Sequence, residues 1–248
     1  MAQQDTKQKS QLSTLTMTLE VAVSSAMLQN YFEKAQGLTV SMFERIGALQ
    51  AMLAKDKPLI EMVKLWQQTN MQIAKEQIVE IAIRREAIEI AHPDVTFPKF
   101  TTPKEWGISF EATHPALHDL REVLETLNAE LSAMERLFMM RVIDETEVER
   151  CKTATITILS GLTDRIAKAT YPGKRQQASG SFYSPAKLTG HIRNGFRLEF
   201  EDAPNAFIDL IKEYEEKTSA FKTAQGDAAK AQSVKAAKKP KQAQKRVA

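Results

Sequence analysis

The sequence predicts a mainly α-helical protein with a short strand at its start and a basic tail at its end. Three observations carry this expectation. Residues 13–22, STLTMTLEVA, alternate strictly, with Leu15, Met17 and Leu19 on one side of an extended chain and Thr14, Thr16 and Thr18 on the other. That period of two marks a strand, and Thr favours strands. From there to about residue 169 apolar residues recur at helical spacing. The pattern breaks at length only over residues 92–115, which hold four prolines.

Taken in order, the strand comes first, and it needs a partner for its backbone groups. Either a distant segment or a second copy of the chain supplies it. In VAVSSAMLQNYFEKAQG, Val23, Met27 and Tyr31 share one helical face with Leu28, Phe32 and Ala35, and Gly37 suits the position just past a helix end. In LTVSMFERIGALQAMLAKD, Thr39 or Ser41 can cap a second helix whose stripe is Met42, Ile46, Leu49 and Leu53. Asp56 and Pro58 open a long amphipathic helix reaching about Ala91. Within the proline-rich break, GISFEAT alternates and reads as a short strand or an extended arm. Helices over about 116–142 and 145–169 form a hairpin, with Asp144 and Glu147 offering a capping box for the second. A last helix is expected from about Asn205 to Phe221, after an extended FRLEFED. No internal repeat is present.

The 248 residues carry a net charge of +3. From Lys222 onward there are eight basic residues and one acidic, which leaves 26 basic and 30 acidic residues elsewhere, a net −4. The positive charge therefore resides in a tail too poor in large apolar residues to fold alone. Such a tail is either a solvated extension or an electrostatic arm for nucleic acid. A second basic stretch lies within the body: between Asp164 and Glu199 there is no acidic residue, and Arg165, Lys168, Lys174, Arg175, Lys187, Arg193 and Arg197 are all basic. Its centre is rich in Gly, Ser and Pro and reads as a loop over 172–197. Phe182 and Tyr183 in that loop either pin it to the core or stack on bases.

The amino-terminal residues have no apolar region of the secretory kind, and no apolar run approaches the ~18 residues a membrane span needs. A single cysteine, Cys151, excludes an internal disulfide and fits a reducing cytoplasm. Its helical surroundings favour a buried, inert thiol over a reactive one. There is no Gly-rich phosphate loop, no GxSxG elbow and no CxxC pair. His114 and His118 have the spacing of two metal ligands on one helix face, but Pro115 lies between them and no third ligand accompanies them. No catalytic residue, metal or cofactor is expected, and the chain does not read as an enzyme.

Strand, helix, Gly-containing turn and capped helix within some forty residues form a ribbon–helix–helix unit. Two copies of such a unit interlock, and their strands pair about a two-fold axis. Leu15, Met17 and Leu19 would seal the dimer, while Thr14, Thr16 and Thr18 would face the DNA major groove. The start of the second helix would aim N–H groups at a phosphate, helped by Thr39 and Ser41. Lys174, Arg175, Lys187, Arg193 and Arg197 would add phosphate contacts. On this reading residues 1–12 are a flexible lead and 13–56 the DNA-binding unit. Residues 57–221 form a helical domain with the basic loop, and 222–248 a disordered basic tail.

From STLTMTLEVAVSSAMLQNYF through PLIEMVKLWQQ to the hairpin that starts at SFEATHPALHDLREVLETLNAEL and runs to TATITIL, about residues 13–170, the chain resembles the AcaB-type regulators of conjugative plasmids and integrative elements. The resemblance implies a homodimeric DNA-binding regulator, an activator of conjugative transfer genes, acting in the bacterial cytoplasm at the nucleoid with a possible contact to the transcription machinery. Members often carry Arg or Lys on the ribbon. Threonine stands there instead, and it donates, accepts or touches a thymine methyl. The competing reading is a helical scaffold or partner-binding protein of a mobile element, without specific DNA readout.

Overall fold

A computed structural model describes residues 15–170, 184–194, 198, 212, 213, 216 and 219. Among these, strand β1 (Met17–Val21) leads into helix α1 (Ala26–Met52), and α2 spans Lys57–Ala91. Strand β2 (Ile108–Ala112) precedes α3 (Ala116–Met139), α4 (Glu145–Ala169) and the short α5 (Pro185–Arg193).

Four long helices form a bundle whose directions follow from their side-chain bonds. Ser25, at the start of α1, bonds Glu135 near the end of α3, so these two run antiparallel. Arg45 on α1 bonds Thr170 just past α4, so α1 and α4 run parallel. Lys75 meets Glu122 and Arg85 meets Glu130, so α2 runs parallel to α3. Arg84 pairs with Glu147 and Asn70 reaches the Leu162 carbonyl, so α2 opposes α4. Consecutive α2 and α3 pointing the same way explain the proline-rich break. The chain must travel back the length of α3, whose 24 residues rise ~36 Å, before α3 can start. The 24 residues of 92–115 reach more than twice that when extended. Phe100 on this return lies under the Arg136 guanidinium.

The return also supplies the partner for the opening strand. β1 pairs antiparallel with β2 of the same chain, Met17 opposite Ala112 and Val21 opposite Ile108. The expectation that a second copy's strand supplies this partner is corrected: the distant segment Ile108–Ala112 of the same chain does so, and Leu19, expected in a dimer seam, packs into the chain's own core. The inward side of the ribbon, Leu19, Val21, Ile108, Phe110 and Ala112, is buried. Met17 on that side is half exposed, and Leu15 before the strand is almost fully exposed.

The expected helix–turn–helix over 21–56 is corrected: α1 is one helix, continuous through Gly37. Leu28, Phe32, Ala35, Thr39, Met42, Ile46, Leu49 and Leu53 follow one another at intervals of three and four, so a single face runs its whole length. A glycine inside a helix costs only about 1 kcal/mol relative to alanine, far less than that buried face stabilises. The start of α1 is fixed by α3. Ser25 accepts from the Leu28 N–H as N-cap. The Glu135 carboxylate accepts from Ser25 Oγ and from the Ala26 and Met27 N–H groups at 2.9–3.0 Å. Asn128 accepts from the Ser24 and Ser25 N–H groups and donates to the Ala22 carbonyl.

The remaining helices follow the expectation more closely. α2 starts with Pro58 in its first turn. The Asp144 side chain caps α4 through the Glu147 N–H at 3.1 Å, whereas the Glu147 carboxylate pairs with Arg84 instead of completing a box. The hairpin turns after Met139, three residues earlier than expected, with Arg141 at a φ of 57°. One core joins the helices and the ribbon, with Trp66, Phe32, Phe43, Leu28 and Ile46 fully enclosed. No described helix is long and apolar enough to cross a membrane.

Candidate nucleic-acid interface

The residues expected to contact DNA fall in three places. Thr14 lies outside the described residues. Thr16 is exposed just before β1, and Thr18 points outward from the ribbon. Thr18 pairs across the ribbon with Glu111, and Glu20 pairs with Ser109 on the same outward face. All four are exposed, so the ribbon shows two carboxylates beside its threonine. Carboxylates in that position repel phosphate.

Thr39 and Ser41 sit in the interior of α1, and their expected role at a helix start is corrected. Thr39 is buried and donates to the Ala35 carbonyl at 3.0 Å; Ser41 donates to the Leu38 carbonyl at 2.8 Å. In mid-helix the backbone N–H groups around them are taken up by the preceding turn, so none is presented to a phosphate. The misreading has a clear origin. Gly37-Leu-Thr-Val-Ser has the composition of a helix stop and start, and only the unbroken apolar face argues otherwise.

Lys174, Arg175 and Arg197 lie outside the described residues, as do Phe182 and Tyr183. Lys187 and Arg193 are on α5, a helix within the stretch expected to be a loop. Ser184 caps it, and Pro185 occupies its first turn. Leu188 and Ile192, four residues apart, are buried and hold α5 against the end of α1. Arg193 donates through two nitrogens to one oxygen of Asp56, at 2.9 and 2.7 Å, tying α5 to the α1–α2 turn.

At this end Arg45 grips the end of α4, donating to the Thr170 hydroxyl at 2.8 Å and to its carbonyl at 2.9 Å. Burial lowers the Arg45 guanidinium from its usual range. Lys55 and Lys57 flank Asp56 and are exposed, as are Lys168 near the end of α4 and Lys187 on α5. Four helix ends thus bring cations separated by more than a hundred residues to one end of the bundle. Lys55 and Lys57 were not expected there. Their only sequence signal was their place beside a turn, and the packing of α5 against that turn is tertiary.

His114 packs against Gly47 of α1, and His118 is exposed at the start of α3. No group of three or more His, Cys, Asp or Glu that would hold a metal occurs among the described residues. Cys151 is buried, and desolvation pushes its thiol up to about 11.

No protein-family model matches the chain, and no curated protein matches it. Among solved structures, the crystal structure of selenomethionine-containing AcaB from uropathogenic E. coli aligns with a TM-score of 0.47 at 11% identity. The alignment covers 77% of this chain and 94% of that one. The likeness is a distant one.

Proposed function

We propose that this protein binds duplex DNA through phosphate contacts made by its basic end and tail, and that it acts as a DNA-binding regulator. The observation that carries the reading is the separation of charge: a body of net −4, an acid-free stretch from 165 to 198, and a tail with eight cations and one anion. Docking of α5 beside the α1–α2 turn supports it, because it groups exposed lysines of the body with the stretch that leads to the tail. The resemblance of residues 13–170 to AcaB-type regulators adds the regulatory role, and with it control of transfer genes and contact with the transcription machinery. The carboxylates of Glu20 and Glu111 argue that the ribbon face is not the principal contact. A second copy of the chain has a place to pair, since the described sheet has two strands and β1 keeps one edge without a strand beside it.

Titration of a labelled duplex over a series of salt concentrations tests the reading. Each neutralised phosphate adds about 0.9 to the slope of log K against log salt. Deleting residues 222–248 removes eight cations and should flatten the slope by up to ~7 while weakening all sequences alike. An unchanged slope would remove the tail from the interface, and no duplex binding at low salt would remove the function. A light-scattering mass of 27.9 kDa at micromolar concentration would exclude the dimer.

The partner-binding reading is favoured by one feature, an exposed apolar stripe on α2. Val79, Ile83 and Ile90 are 53%, 62% and 79% exposed and lie on one side of the helix.

A further inference from the structure

A groove of about 730 Å³ opens between the first half of α1, the end of α3 and the start of α4. Its volume is in the range of small-molecule sites, and its walls are mostly apolar, as such sites are. Met27, Tyr31, Phe138, Met139, Val148 and Ile156 form those walls. Met139 and Ile156 are 68% and 56% exposed, so two of the large apolar side chains that line it also face solvent.

The charged groups of the groove are unevenly engaged. Its one carboxylate, Glu135, is occupied by Ser25, Ala26 and Met27, which take both of its oxygens. Two ammonium groups stand at the rim on different helices, Lys34 on α1 and Lys152 on α4. Lys152 pairs with Glu149 three residues away on the same exposed helix face, an arrangement worth little. Lys34 has no ion pair among the described residues. The groove therefore presents positive charge at the edge of an apolar trough, on a body whose net charge is negative.

From these observations we infer that the groove binds a small amphipathic anion, an apolar body bearing one carboxylate, with Lys34 as the counter-ion. The apolar portion lies along Tyr31, Phe138 and Val148, and the carboxylate accepts from the Lys34 ammonium at the rim. The size of the groove favours such a ligand over a protein segment. Thirteen residues line it, against the roughly 20–30 a side that a stable protein interface covers. Along α1 it extends from Ala26 to Ala35, ~14 Å of helix.

The probes are decanoate, decanol and decylamine, each titrated below its micelle concentration into the full chain by calorimetry. Decanoate should bind saturably, one per chain, and more tightly than decanol or decylamine by up to about fivefold, which is what an ion pair to an ammonium as exposed as that of Lys34 contributes. Lys34→Met should erase the preference for decanoate over decanol, and Lys34→Arg should restore it. Ala35→Trp, which fills the groove, should abolish binding of all three probes while circular dichroism shows the fold retained. Saturable decanoate binding that survives Ala35→Trp in a folded chain would place the ligand elsewhere. Equal affinity for the three head groups, an unchanged preference in Lys34→Met, or no saturable binding of decanoate up to millimolar concentration would each overturn the assignment.

Discussion

Replacing Gly37 by alanine distinguishes the continuous helix from the helix–turn–helix that the sequence invites. In the structure Gly37 is an exposed residue in the middle of α1, and a Cβ built there meets nothing within 4 Å. Only two terms then change. Alanine is favoured over glycine in a helix interior by about 0.8–1.0 kcal/mol, and it restricts the unfolded chain more. Gly37→Ala should therefore stabilise the fold by roughly 0.5–1 kcal/mol, raising the midpoint of thermal unfolding by ~1–4 °C. Were Gly37 the left-handed residue that ends one helix, the same change would destabilise by about 1 kcal/mol or more. The sign alone decides, and urea titration with an unchanged m-value reads it. Gly47→Ala is the internal contrast. There a Cβ would collide with Cβ and Cγ of His114, which sits on the chain between β2 and α3. Overpacking of this kind costs about 1–3 kcal/mol. A Gly37→Ala variant destabilised, as Gly47→Ala should be, would refute the continuous helix.

Three further outcomes are expected. Asn128→Ala should destabilise by about 2–4 kcal/mol in denaturant titration, because it strands the fully buried Ser25 N–H and releases Ser24 and the Ala22 carbonyl; the exposed Thr126→Ala on the same helix should change stability by less than about 0.5 kcal/mol. The Arg84 guanidinium bonded to Glu147 holds that carboxyl below its ordinary value of 4.5, so the stabilisation is present above pH 4.5 and fades as pH falls through the lower folded value. Glu147→Gln should thus lose stability at neutral pH, by about 1 kcal/mol or less because the Arg84 side of the pair is 44% exposed, and converge with the parent chain in acid; a gap that persists at pH 2 would contradict the pairing. With its thiol raised to about 11, Cys151 should react with a thiol reagent at pH 8 only as fast as the chain opens, and labelling as fast as that of free cysteine would contradict its burial.

Residue types and periods within one segment determined much of this protein. Alternation marked β1 and the strand in GISFEAT, Asp144 marked the start of α4, and Pro58 marked the start of α2. These are local signals, because a cap or a pleat is decided by residues within a few positions of one another. The separation of a basic tail from an acidic body is likewise a property of composition alone. Gly37 shows where local signals stop: the nearby Thr39, Val40 and Ser41 have the chemistry of a helix start, but burial of the apolar face that runs past them, Thr39 included, outweighs the small cost of a helical glycine. Pairing of β1 was undecidable for the same reason. Alternation says that a strand needs a partner, and only the return of residues 92–115 across the bundle brings Ile108–Ala112 beside Met17–Val21, 87 to 95 positions away. The gathering of Lys55, Lys57, Lys168 and Lys187 at one end, and the groove rimmed by Lys34 and Lys152, also belong to the tertiary structure, because each is made by helix directions that no single segment encodes.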